Sequence, residues 1–71
     1  MTWNYRVMKR KNKTGEYAFG IYEVFYDDNG KVVSWTKESM TPVCPSEEAL
    51  DHELNLMREA LKKDTLLYIE D

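Results

Sequence analysis

Glu23-Val24-Phe25-Tyr26-Asp27-Asp28-Asn29-Gly30-Lys31-Val32-Val33-Ser34-Trp35 is the stretch that decides the fold. Two runs rich in β-branched and aromatic residues flank Asn29-Gly30, a strong short-range hairpin signal. A type I′ turn needs positive φ at both central residues, which Asn and Gly tolerate. With Asn29 and Gly30 as the whole loop, Tyr26 faces Val33 and Val24 faces Trp35. Tyr22, Val24, Tyr26, Val33 and Trp35 then share one side of the sheet. Ile21, Glu23, Phe25, Val32, Ser34 and Thr36 share the other. A three-residue loop with a bulge is the competing arrangement, and it sets Glu23 against Trp35.

Upstream, Trp3, Tyr5 and Val7 alternate with Asn4 and Arg6, which predicts a first strand over about 2–10. Lys11-Asn12-Lys13-Thr14-Gly15 reads as a polar hairpin loop. The next run, about 16–27, is apolar on both faces and so suits a central strand, with a third strand following over about 31–39. Thr41-Pro42-Val43-Cys44-Pro45 cannot continue a ladder and reads as a connector. Ser46 then serves as N-cap for a helix over about 46–63, with Glu47 and Glu48 complementing its dipole.

Leu50, Leu54, Met57 and Leu61 recur at helical spacing, flanked by Ala49, Leu56 and Ala60. This stripe is expected to lie over Val24 and Trp35. Leu66-Leu67-Tyr68-Ile69, within an apolar segment over 65–70, is too apolar for a free tail. A short fourth strand, a tuck under the core and an arm onto a second subunit are the three options. The fold class is α+β, a three-stranded antiparallel meander packed against one C-terminal helix, forming a single domain over 1–71.

Composition narrows the function. A chain of 71 residues has one core, and its single cysteine and single histidine rule out an internal disulfide and argue against a metal centre. The net charge of −3 conceals a basic opening of Arg6, Lys9, Arg10, Lys11 and Lys13, with no acid before Glu16. The last third is acidic, with Glu47, Glu48, Asp51, Glu53, Glu59, Asp64, Glu70 and Asp71 against Arg58, Lys62 and Lys63. Such polarity can steer a partner or draw two copies together, although a solvated face accounts for it equally simply. The opening residues carry no signal-peptide apolar core, and no run approaches the roughly 20 apolar residues of a membrane helix. With a lone cysteine, a reducing compartment follows, and the cytoplasm is expected.

Cys44 and His52 are the only nucleophile–base pair of the usual kind, and an ordinary helix-surface histidine paired with Glu48 explains His52 without catalysis. No enzymatic activity and no cofactor are expected. Glu23, inside an apolar strand, is either a satisfied structural acid or part of an exposed binding face with Ile21, Phe25 and Val32. Leu67 and Tyr68 extend the candidate partner surface into the C-terminal segment. Arg6, Lys9, Arg10, Lys11 and Lys13 form a candidate basic patch beside sheet aromatics, which would suit nucleic acid.

Trp3-Asn4-Tyr5-Arg6-Val7, Glu23 to Lys31 and Ser34-Trp35-Thr36 resemble a set of small hypothetical proteins of bacteria and mobile elements. That resemblance spans most of residues 2–37 and carries no assigned activity to transfer. Three strands followed by a Ser-Glu-Glu-Ala-Leu helix also look like the antitoxin of the HicAB toxin–antitoxin pairs. The Pro-Gly-Cys segment and the C-terminal DNA-binding region of that pattern have no counterpart in these residues. The expected function is therefore non-enzymatic protein binding, as an accessory or inhibitor protein of bacterial or phage type, with self-association into a homodimer as one form of it. A nucleic-acid-binding module using the basic first hairpin is the alternative.

Overall fold

The computed structural model describes residues 1–70 and is an α+β arrangement of one four-stranded mixed sheet and one α-helix. Strand β1 (Thr2–Lys11) pairs antiparallel with β2 (Tyr17–Tyr26), which pairs antiparallel with β3 (Val32–Trp35). Helix α1 (Glu47–Glu59) runs into a 3-10 turn at Ala60–Lys62. Strand β4 (Leu66–Leu67) then joins the outer edge of β1, giving the order β3-β2-β1-β4. Because β4 pairs parallel to β1, the expected all-antiparallel meander is corrected to a mixed sheet. The cause is the helical crossover, which brings the chain back along the direction of β3, already parallel to β1.

The two hairpin loops share one construction. Asn12 N–H donates to the Glu16 carbonyl (2.7 Å) and Gly15 N–H to the Asn12 carbonyl (3.1 Å). Asn12 Oδ1 also accepts from the backbone N–H of Thr14 (3.0 Å) and Glu16 (2.9 Å). Asp27 repeats this: its N–H donates to the Lys31 carbonyl (2.9 Å), and its carbonyl accepts from Gly30 (3.0 Å). Asp27 Oδ1 accepts from Asn29 and Lys31 N–H at 2.9 Å each. Gly15 and Gly30 supply the left-handed residue, with φ of 87° and 80°.

Among the described residues no non-glycine has positive φ, so Asn29 does not form a type I′ turn. The loop is the three-residue alternative, Asp28 to Gly30. Val24 still pairs with Trp35 and Phe25 with Ser34, but Tyr26 pairs with Val32. Val33 is the extra residue of a bulge, and this slip moves Val32 onto the side of Tyr26 and Val24. Beyond Trp35 the third strand ends earlier than expected. The chain keeps to β2 through Thr36 N–H to the Glu23 carbonyl (3.0 Å), the Thr36 hydroxyl, which accepts from Glu23 N–H, and Met40 N–H to the Ile21 carbonyl (2.7 Å).

Both faces of the sheet are buried, by different elements. Tyr5 and Val7 pack with Met57 and Ala60, joined by Ile21 and Met40. On the reverse, Met8, Tyr22 and a fully buried Val24 pack with Tyr26, Val32, Trp35, Leu66 and Tyr68. The expectation that the helix covers Val24 and Trp35 is thus corrected: the C-terminal segment covers them, and the helix takes the Tyr5/Val7 face. Tyr68 sits 5.4 Å from the Tyr22 ring and edge-on to Trp35 at 5.7 Å. Residues 65–70 are a short strand and a tuck at once.

Ser46 caps the helix as expected, its Oγ accepting from Ala49 N–H (3.1 Å). The buried line of the helix is Met57 and Ala60, with Ala49, Leu50 and Glu53 half-buried. Leu54, Leu56 and Leu61 stay exposed. The helix is therefore turned away from its own leucine stripe by less than one residue step of about 100°.

Candidate protein-binding surface

The helix is fastened by one polar contact in an otherwise apolar seam. The Tyr5 hydroxyl donates to Oε1 of Glu53, which lies on the buried line of α1. Burial raises the Tyr5 phenol well above its ordinary value, and the bond to Glu53 adds to this, with the charges of Glu53, Glu23 and Cys44 acting in the same sense. Glu23 pairs with Tyr5 across β1 and β2 and is half-buried on the helix side. Its backbone N–H donates to the Thr36 hydroxyl oxygen (3.2 Å).

Around this seam the cover is incomplete. Phe19 is 66% exposed on the helix-side face of β2, and Leu54 and Leu61 on the helix are 47% and 67% exposed. Tyr17, two residues before Phe19, is also exposed on that face. A helix of 13 residues with its contacts centred on β1 leaves the far part of β2 bare. The expected partner residues are divided. Ile21 is half-buried against the Tyr5/Val7 core, Glu23 lies on the same side, and Phe25 shares their strand face. Val32 and Tyr68 belong to the opposite core, and Leu67 is exposed in β4. A single contiguous Ile21/Phe25/Val32 surface is thereby corrected, because the bulge at Val33 carries Val32 through to the reverse side. Phe19, Leu54 and Leu61 were the missed residues. Leu54 and Leu61 read as core from spacing alone, and only the rotation of the helix exposes them.

The basic patch is divided as well. Arg6 donates to the Tyr26 hydroxyl (3.1 Å) and the Asp64 carbonyl (2.7 Å). Arg10 pairs with Glu70 (2.6 Å), donates to the Lys37 carbonyl (3.1 Å) and lies over the Tyr68 ring at 4.2 Å. Both arginines hold the C-terminal segment in place. Lys9 and Lys11 emerge on the helix side instead, their Nζ atoms 5.1 and 5.6 Å from the Tyr17 ring. Lys13 is exposed in the first loop.

On the reverse side, Val33, Trp35, Lys37, Tyr68 and Glu70 line an open groove of about 660 Å³ with Arg10. A second concavity of about 400 Å³ lies between helix and sheet beside Trp3, Asn4, Tyr5, Leu56, Glu59 and Lys63. Cys44 is half-buried in the connector and His52 is exposed on the helix, without the expected ion pair to Glu48 among the described residues. No cluster of three metal-ligating residues occurs among the described residues, and no helix there is long and apolar enough to cross a membrane. Asp71, counted in the acidic last third, lies outside the described residues. No family model matches the chain, and neither a curated protein nor a solved structure matches it.

Proposed function

We propose that this chain is a non-enzymatic protein-binding module that offers the helix side of its sheet to a partner protein. The observation that carries the reading is the exposure of Phe19, Leu54 and Leu61, with Tyr17 beside Phe19, on the helix side of the sheet. Large apolar side chains left out together mark interaction sites in soluble domains. An accessory or inhibitor role in a bacterial or phage setting, in a reducing cytoplasm, fits the resemblance of the first 37 residues and the lone Cys44. The test is affinity capture with the wild-type chain against Phe19→Glu and Leu61→Glu variants of matched melting temperature. One specific protein retained by wild type and lost with both variants supports the reading. Equal retention by all three chains refutes it.

A second reading rests on Lys9 and Lys11 lying directly across from Phe19 and Tyr17 on one strand face. Two exposed rings at alternate positions with ammonium groups beside them match a platform for single-stranded nucleic acid. Binding of single-stranded RNA that weakens steeply with salt and is lost in Tyr17→Ala and Phe19→Ala would favour this reading over the first.

A further inference from the structure

The sheet treats its two edges differently. Strand β3 is protected, being 4 residues long and interrupted by the Val33 bulge. The opposite edge is capped by β4 only at Met8 and Lys9. From Thr2 to Arg6, β1 therefore has a neighbour on one side alone. That stretch is regular in register and carries no proline, no lysine and no bulge, the devices that normally blunt an edge. The guanidinium of Arg6 is occupied by Tyr26 and Asp64.

The direction of the free groups follows from β4. The Lys9 carbonyl accepts from Tyr68 N–H (2.9 Å), so Lys9 points its backbone outward. Backbone groups alternate along a strand, which directs the N–H and C=O of Trp3 and Tyr5 outward as well. These groups border the concavity of about 400 Å³ whose rim carries one acid, Glu59, and one base, Lys63. An edge with outward pairs at positions two apart and a rim bearing both charges is complementary to itself.

We propose that β1 docks antiparallel against β1 of a second copy of this chain, about a two-fold axis at Asn4. Trp3 then exchanges two backbone hydrogen bonds with Tyr5 of the second copy, and Tyr5 with its Trp3, making one continuous eight-stranded sheet from two four-stranded ones. The rings of Trp3 and Tyr5, already edge-on at 5.2 Å within one chain, then meet those of the second copy in a two-by-two cluster on the helix side. Leu56 faces its own copy across the axis. Glu59, bonded at 3.0 Å to Lys62 of the 3-10 turn that follows it, comes opposite Lys63 of the second copy. This surface, at the β1 edge, uses none of Phe19, Leu54 and Leu61, so either proposal can fail alone.

The experiment is sedimentation from about 1 µM to about 1 mM, the span over which modest association is read. Wild type should shift from monomer to dimer within that span. Glu59→Lys and Lys63→Glu should each raise the dissociation constant about tenfold, because each places like charges opposite one another twice per dimer. The double swap should restore it. Trp3→Pro, which removes an outward N–H without touching the backbone bonds of the β1–β2 ladder, should also weaken the dimer. In the dimer, the Tyr5 amide should exchange with solvent more slowly as concentration rises. A species monomeric throughout overturns the proposal, including one whose edge takes up an extended peptide from another protein. So does a dimer indifferent to all the substitutions.

Discussion

The hydroxyl of Tyr5, in the middle of β1, donates to the carboxylate of Glu53, on the buried line of α1. Helix and sheet also meet through Met57, Ala60, Val7 and Ile21. The directional Tyr5–Glu53 bond favours the same rotation as the burial of Met57 and Ala60, the one that leaves Leu54 and Leu61 outside.

Tyr5→Phe should destabilise the domain by about 1–3 kcal/mol, since Glu53 loses its donor in a half-buried position. Urea unfolding of the two chains measures the difference. Glu53→Gln, which keeps an acceptor oxygen, should cost less than Tyr5→Phe.

The same bond makes stability depend on alkaline pH. The phenol of Tyr5 is raised in the folded state by burial first and by Glu53 second. Its contribution is complete below the unfolded value of about 10 and is lost as pH rises above that toward the folded value. Denaturant midpoints between about pH 9 and 11 should fall more steeply for wild type than for Tyr5→Phe. Parallel curves would show that Tyr5 does not titrate through this contact.

Met57→Ala should cost about 2–5 kcal/mol and Leu54→Ala less than about 1 kcal/mol, although both lie on the stripe that spacing marks as core. Met57 is 7% exposed and Leu54 is 47%. Comparable losses of melting temperature in the two variants would restore the rotation implied by spacing.

Tyr68→Ala should lower stability by about 2 kcal/mol, below the 3–5 typical of a fully buried aromatic because Tyr68 is half-exposed. It removes the ring that Tyr22, Trp35 and Arg10 all contact. Increased binding of an apolar dye should accompany the loss.

Gly15→Ala and Gly30→Ala should each cost about 1–2 kcal/mol, the strain of a left-handed backbone, because a Cβ at either site meets open space. A large difference between the two would mean that the loops are not equivalent.

Local chemistry made the strands, the Ser46 cap and the pairing of Val24 with Trp35 legible in the sequence. Asn29-Gly30 was misleading because Asp27 competes for the turn: its carboxylate gathers two backbone N–H groups and lengthens the loop to three residues. Asn12-Lys13-Thr14-Gly15 carries the same signal, an Asx residue three positions before glycine, and the pair could have been read as one motif. Which face the helix would take was not legible. Both sides of β2 are apolar, and the contacts that join the helix to its face, Tyr5 with Glu53 among them, link residues 48 positions apart. The parallel β4 is likewise a tertiary outcome, since a two-residue strand has no periodicity of its own. Lys9 and Lys11 were separable from Arg6 and Arg10 by strand alternation, but not from knowledge of what each side would meet.

The pairing of Met8 with Leu66 also sets an order of assembly. The β1–β2 and β2–β3 hairpins close over short loops and can form as soon as their strands exist, within microseconds. The clasp of β4 joins segments 58 residues apart, and its closure entropy falls due only once. Until then Met8, Tyr22 and Val24 lack a cover, so a growing chain presents a sticky sheet face throughout synthesis of the helix. Native closure is therefore a late event, and a nascent chain stalled before residue 66 is the species most exposed to chaperones and proteases.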